Sequence, residues 1–174
     1  MDNKTVVFSS ESIAKRVEEL GAVISHDFTG CDLVVVGILS GAFIFIADLV
    51  RKITIPHAVD FVRVASYGQG RSSSGTITLS KDMEIPITGR HVLLVEDIVD
   101  SGRTLDYLKK LFMTRGPRSV RTCVLVNKRE RREIPMEIDY MGFDLAAGFL
   151  VGYGMDCAEQ YRHYPEVCRL DDAS

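Results

Sequence analysis

Apolar residues recur in two different periods along this chain, and their alternation predicts an architecture. Over residues 10–21, SESIAKRVEELG, apolar side chains stand at 13, 14, 17 and 20, the spacing of one helix face, with Ser10 as an N-cap and Gly21 as a stop. Leu33 to Ile38 is a continuous, β-branched-rich run, the mark of a strand covered on both faces, and it leads through Leu39-Ser40-Gly41 into an apolar helix near 42–52. A strand near 57–65 follows, then another at Val92-Leu93-Leu94-Val95, a helix over 103–115 ending at Gly116-Pro117, and a strand from Val120 to Val126. Strand, helix, strand spacing of this kind implies right-handed crossovers, so the expected fold class is α/β, with a doubly wound parallel sheet as its core. After residue 128 the rhythm gives way to short aromatic pieces, DYMGFDLA and GFLVGYGMD, expected to pack as a small cap.

Residues 66–75, SYGQGRSSSG, lie between two strand-like segments and are rich in Gly and Ser. A flexible connector is the plainer reading. The length of the loop, with Tyr67 at its root, favours a lid that closes over a site.

The overall composition narrows the functional classes. A chain of 174 residues, 46% hydrophobic and 26% charged, has the size and balance of one folded domain with a sizeable core. Its 21 Lys and Arg against 24 Asp and Glu give a net charge of −3, which provides no field for nucleic acid or an anionic membrane. The longest uncharged stretch, Leu33 to Ala47, is broken by Gly37, Ser40 and Gly41 and falls short of the roughly 20 apolar residues that span a bilayer. No basic-then-apolar leader opens the chain, so a cytoplasmic setting is expected. Cys31, Cys123, Cys157 and Cys168 form no CxxC pair, and the four His residues show no metal-binding or catalytic spacing.

Ligands of open α/β sheets bind beyond the carboxyl ends of the strands, which directs attention to VLLVEDIVDSGRTL at 92–105. The amides of Ser101 to Thr104, the hydroxyls of Ser101 and Thr104 and the dipole of the following helix make a phosphate cradle, and Gly102 permits close backbone approach. Glu96 and Asp97 cannot be phosphate ligands, because like charges about 4 Å apart repel by about 4 kcal/mol at an effective dielectric of 20. They suit a vicinal diol, hydrated Mg²⁺ or a cationic transition state, and a ribose 5-phosphate satisfies all three. The plainer alternatives are solvated acids at a strand end, or Asp100 capping the next helix. Three acids in five residues followed by SGRT favour the site.

The segment VLLVEDIVDSGRTL resembles the phosphoribosyl pyrophosphate motif of the type I phosphoribosyltransferases, and its Glu-Asp-Ile-Val-Asp form is similar to the hypoxanthine-guanine branch. The likeness extends from VVGILSGAF to FLVGYGMDCAEQYRHYPEV. It implies a single domain over 1–174, with a core at about 22–127, a small hood from 1–21 and 128–174, and a flexible hairpin lid. By resemblance, Glu96 and Asp97 meet the ribose hydroxyls of phosphoribosyl pyrophosphate directly or through Mg²⁺, Asp100 handles the proton at purine N7, and Ser101, Gly102, Arg103 and Thr104 grip the 5-phosphate. Leu39-Ser40-Gly41 looks like the pyrophosphate loop, with a non-proline cis peptide between Leu39 and Ser40, and Ser66-Tyr67 like the start of the lid. Lys128 matches the lysine that donates to a 6-oxo group, Phe149 the aromatic that stacks on the base, and Leu150 a carbonyl at the pyrimidine edge. Asp156 matches a second Mg²⁺ position and Arg162 an arginine that binds pyrophosphate.

The resemblance therefore implies a Mg²⁺-dependent purine salvage transferase acting on phosphoribosyl pyrophosphate and a 6-oxopurine, a homo-oligomer (dimer or tetramer) with no nucleic-acid or membrane partner. Two positions depart from the better-known pattern: Ser40 stands where some members have lysine, and Gly148 replaces a longer polar residue before the stacking aromatic. Rival readings are a regulator that senses the sugar donor without turnover, and an enzyme acting on adenine, orotate or uracil. An acidic chain with no added basic segment disfavours the first, and Lys128 with Phe149 disfavours the second.

Overall fold

A computed structural model of the chain describes residues 4–67 and 76–170. Strand β2 (Leu33–Leu39) lies inside a six-stranded sheet, buried on both faces as its unbroken apolar run requires. β3 (His57–Tyr67) runs parallel to it on one side and β5 (His91–Val99) parallel on the other. β4 (Thr76–Lys81) closes the β3 edge antiparallel, while β6 (Ser119–Lys128) and β7 (Tyr140–Leu145) extend the β5 side in parallel. The order is β4-β3-β2-β5-β6-β7. The chain winds outward from β2 in one direction and then restarts at β5 in the other, so a crevice opens between the carboxyl ends of these two strands.

Helices α1 (Ser10–Asp27) and α2 (Phe43–Val50) pack on one face of the sheet, where Ile13, Val17, Ile24 and Leu49 meet Leu33, Val35 and Leu93. Helix α3 (Arg103–Met113) covers the other, with Leu105, Leu108 and Phe112 against Val34, Leu94 and Val124. The expected fold class is the observed one.

Two local expectations are corrected. The cap of α1 is Ser9, whose Oγ accepts from the Ser12 amide at 3.3 Å, and the helix runs through Gly21 to Asp27. Gly21 is a contact, not a stop: a Cβ there would lie 2.8 Å from the backbone of Lys52, so its absence lets the end of α2 press against α1. The segment after 128 also divides differently from the expected cap, because β7 pairs with β6 in the main sheet, joined by Cys123↔Tyr140 and Val126↔Phe143. The small second sheet, order β1-β9-β8, contains only β1 (Lys4–Phe8), β8 (Phe149–Val151) and β9 (Val167–Leu170). Helix α1 likewise packs in the main core through Ile13, Val17, Leu20 and Ile24. Phe8 stacks on Phe143 with ring centroids 4.1 Å apart, which ties the small sheet to the large one.

Candidate active site

Leu39–Gly41, Glu96–Thr104 and Lys128 lie at or just beyond the carboxyl ends of β2, β5 and β6. Glu96 and Asp97 lie near the carboxyl end of β5, just beyond its fully buried stretch Val92–Val95. The Asp97 carboxylate lies directly over Gly41, so that any side chain at 41 would collide with it. The Leu39–Ser40 peptide is cis, as the resemblance implied. Gly154 backs the same loop from the small-sheet side, where a Cβ would overlap the carbonyl of Gly41. Arg162 completes this wall: it donates to the Gly154 carbonyl at 2.7 Å and pairs with Asp156 at 2.9 Å and Glu159 at 3.0 Å.

Burial pushes Glu96 well above the usual carboxylate range, with the neighbouring Asp97 charge adding to the effect. Asp97 is pushed up to about 6, chiefly by burial, with Asp156 raising it further, while the amides of Ile98 and Asp97 and the nearby Arg162 act in the opposite direction. Two carboxylates with raised proton affinity fit a cation shared with a ligand. Among the described residues no three metal-ligating side chains converge.

Past β5 the chain turns sharply through Gly102, whose φ of 84° is the left-handed conformation glycine adopts without strain. Ser101 Oγ accepts from the Arg103 amide at 3.3 Å, and Gly102, the N-cap of α3, offers no side chain. The first-turn amides of α3 are therefore presented to an incoming anion. The Arg103 side chain turns aside to Glu133, Nη2 to carboxylate at 2.5 Å, so the anion-binding capacity of this loop rests on backbone and hydroxyl groups.

Asp100 and Lys128 follow β5 and end β6, respectively, and meet across the strand ends with Nζ 3.0 Å from Oδ2. Lys128 is almost fully buried, and a second of its N–H groups reaches the Gly148 carbonyl at 3.2 Å. Asp100 lines a cavity of about 360 Å³, and its Oδ1 is buried with no hydrogen-bond partner among the described residues. Phe149, 41% exposed, forms part of the cavity wall with Glu130, Gly148 and Arg169. Leu150 is buried in the main core at β8. Ser66 and Tyr67 end β3 opposite Ile77 and Thr76, and 68–75, where the lid is expected, lies outside the described residues.

Sequence reasoning missed Gly154, Glu130, Arg169 and Arg132. The first three act through contacts between segments distant along the chain. Arg132 was visible only as part of the basic run Lys128-Arg129-Glu130-Arg131-Arg132, which reads as a solvated face.

The model of the phosphoribosyl transferase domain family matches residues 6–158. The hypoxanthine-guanine phosphoribosyltransferase of Dictyostelium discoideum is 42% identical over 174 residues, covering 98% of this chain and 97% of that protein. The hypoxanthine-guanine phosphoribosyltransferase of Mycobacterium tuberculosis strain H37Rv is 43% identical over 176 residues, covering 98% and 87%. A crystallised hypoxanthine phosphoribosyltransferase from Staphylococcus aureus superposes with a TM-score of 0.93 at 37% identity, covering 97% of this chain and 92% of that one. With the sheet order, the acidic strand end and the anion-binding turn all in place, the chain belongs to the phosphoribosyltransferase family, alongside its hypoxanthine-guanine members.

Proposed function

We propose that the protein transfers the 5-phosphoribosyl group of phosphoribosyl pyrophosphate to N9 of hypoxanthine or guanine, releasing pyrophosphate and forming IMP or GMP. The observation that carries this reading is the Asp100–Lys128 pair at the mouth of a cavity walled by Phe149, one turn away from an amide-lined anion site.

The 5-phosphate sits on the loop Ser101, Gly102, Arg103 and Thr104. Glu96 and Asp97 hold the ribose hydroxyls, and their negative charge favours oxocarbenium character at C1′. Leu39, Ser40 and Gly41 face the pyrophosphate with Arg162, and Ser66 and Tyr67 lead into the lid that excludes water from the activated sugar. The purine stacks on Phe149. Lys128 has a third donor to give to the 6-oxo group, and an ammonium cannot accept from the 6-amino group of adenine. The Leu150 carbonyl meets the pyrimidine edge. The base enters with its proton on N7, the N9 lone pair forms the bond to C1′ as the bond to pyrophosphate breaks, and the Asp100 carboxylate takes the N7 proton. Glu96 and Asp97 would hold one Mg²⁺ and Asp156 would help to hold a second, and Mg²⁺ when bound would supply charge neutralisation to the departing pyrophosphate.

A cytoplasmic setting agrees with four free cysteines, and among the described residues no helix is long and apolar enough to cross a membrane. A homo-oligomer, dimer or tetramer, is in keeping with the half-exposed Phe43 beside Tyr161 and Tyr164, and light scattering tests it.

Pyrophosphate release is measured with phosphoribosyl pyrophosphate, Mg²⁺ and, in separate tubes, hypoxanthine, guanine, xanthine, adenine, orotate and uracil. Turnover confined to 6-oxopurines is expected. Binding of the sugar donor with no turnover on any base would replace this reading with a regulatory one.

A further inference from the structure

The ladder between β5 and β6 ends at Val99↔Asn127. One residue further on, Asp100 and Lys128 must hold their charged groups 3.0 Å apart without ladder bonds between the two strands to fix them. Arg132 occupies this gap. Its Nε donates to the Asp100 carbonyl at 3.0 Å, and its Nη2 reaches the Val99 carbonyl at 3.3 Å, the Lys128 carbonyl at 3.1 Å and Asn127 Oδ1 at 2.6 Å. A planar guanidinium is suited to this task, because its donors lie in a fixed fork and stay charged at every working pH. The neighbouring arginines do not share it: Arg129 is mostly exposed and pairs with Asp144 at 2.7 Å, and Arg131 lies at the surface. Directly after Arg132, the amides of Glu133 and Ile134 both donate to the Ser101 carbonyl, at 3.0 and 3.1 Å, so the same short segment also seats on the anion-binding turn.

We propose that Arg132 is a positioning residue: it replaces the missing ladder bonds between the ends of β5 and β6 and thereby sets the distance between Asp100 and Lys128 at the purine. This rests on the phosphoribosyl-transfer reading above. Arg132 itself touches neither substrate. Its loss lets the two strand ends part, and a displacement of about 1 Å in a reacting group costs on the order of 100-fold in rate.

The test compares Arg132→Met, which keeps the apolar stem, and Arg132→Lys, which keeps the charge but not the fork. For each, kcat and the separate KM values for hypoxanthine and phosphoribosyl pyrophosphate are measured beside the melting temperature. With Arg132→Met, kcat falls by about 30-fold or more and KM for hypoxanthine rises, while KM for the sugar donor stays within about threefold, since the 5-phosphate amides keep their own backbone anchors. Arg132→Lys shows the same split with a smaller loss, and it carries the test alone if the Met variant does not fold. Unchanged kinetics with hypoxanthine, or equal losses for both substrates, overturns the proposal. A wild-type protein inactive on every 6-oxopurine is a distinct result, because it removes the transfer reading itself and the role of Arg132 with it.

Discussion

Replacing Lys128 by Met tests the base site and its energetics together. The substitution keeps the buried apolar stem and deletes an ammonium 3.0 Å from Asp100 Oδ2 and 3.2 Å from the Gly148 carbonyl. At an effective dielectric of 20, the bare attraction across 3.0 Å is about 5.5 kcal/mol, an upper bound. The lysine side chain is 8% exposed and the aspartate 33%, so water screens one partner, and the net cost of stranding Asp100 falls to about 2–3 kcal/mol. For a chain of this size each kcal/mol lowers the melting temperature by about 2–4 °C, which gives a fall of about 4–12 °C. Loss of a charged donor to the 6-oxo group removes about 1.5–3 kcal/mol of binding, or about 10- to 150-fold in kcat/KM for hypoxanthine. Scanning calorimetry and steady-state kinetics read the two effects separately. The double variant Lys128→Met, Asp100→Asn carries neither charge, and it should recover about half of the lost stability while staying inactive. Equal melting temperatures for wild type and Lys128→Met, with strictly additive effects in the double variant, would refute the reasoning.

Other consequences follow from the same geometry. Asp97 is pushed up to about 6 from an ordinary 3.8, so between these values the folded protein binds more protons than the unfolded chain, and its stabilising contribution, full below about 4, is lost as pH rises through 6. Asp97→Asn should flatten this dependence and stabilise the ligand-free protein at pH 8, by at most about 3 kcal/mol in urea titrations, at the expense of activity; a variant that is less stable at pH 8 than wild type contradicts this. Gly41→Ala places a methyl group against the Asp97 carboxylate and should raise KM for phosphoribosyl pyrophosphate by about tenfold or more, and an unaltered KM would mean that the loop yields freely. Because Phe149 is 41% exposed, Phe149→Ala should cost under about 1 kcal/mol of stability, yet raise KM for the purine by about tenfold through lost stacking, as base-titration kinetics would show.

The sequence by itself determined the elements whose signals are local. The uninterrupted run of β2 and the 3.6-residue period of α1 follow from side-chain pattern alone, because each element must bury its apolar face wherever it ends up in the fold. The acidic end of β5 and the Gly102 turn were equally legible, since strand, turn and helix N-terminus are contiguous in the chain. Tertiary structure decided everything that depends on approach between distant segments. Gly21 reads as a helix stop until the end of α2 is seen pressed against it. β7 reads as part of a cap until β6 offers it an edge, since backbone groups left unpaired there would be costly. Lys128 and Arg132 share one basic run in the sequence, yet one is buried against Asp100 and the other fastens two strand ends, while Arg129 stays in water. Charge along a chain carries no record of which side chain will be desolvated. Only the packing of β5 against β6 supplies that information, and with it the 3.0 Å contact on which the proposed base recognition rests.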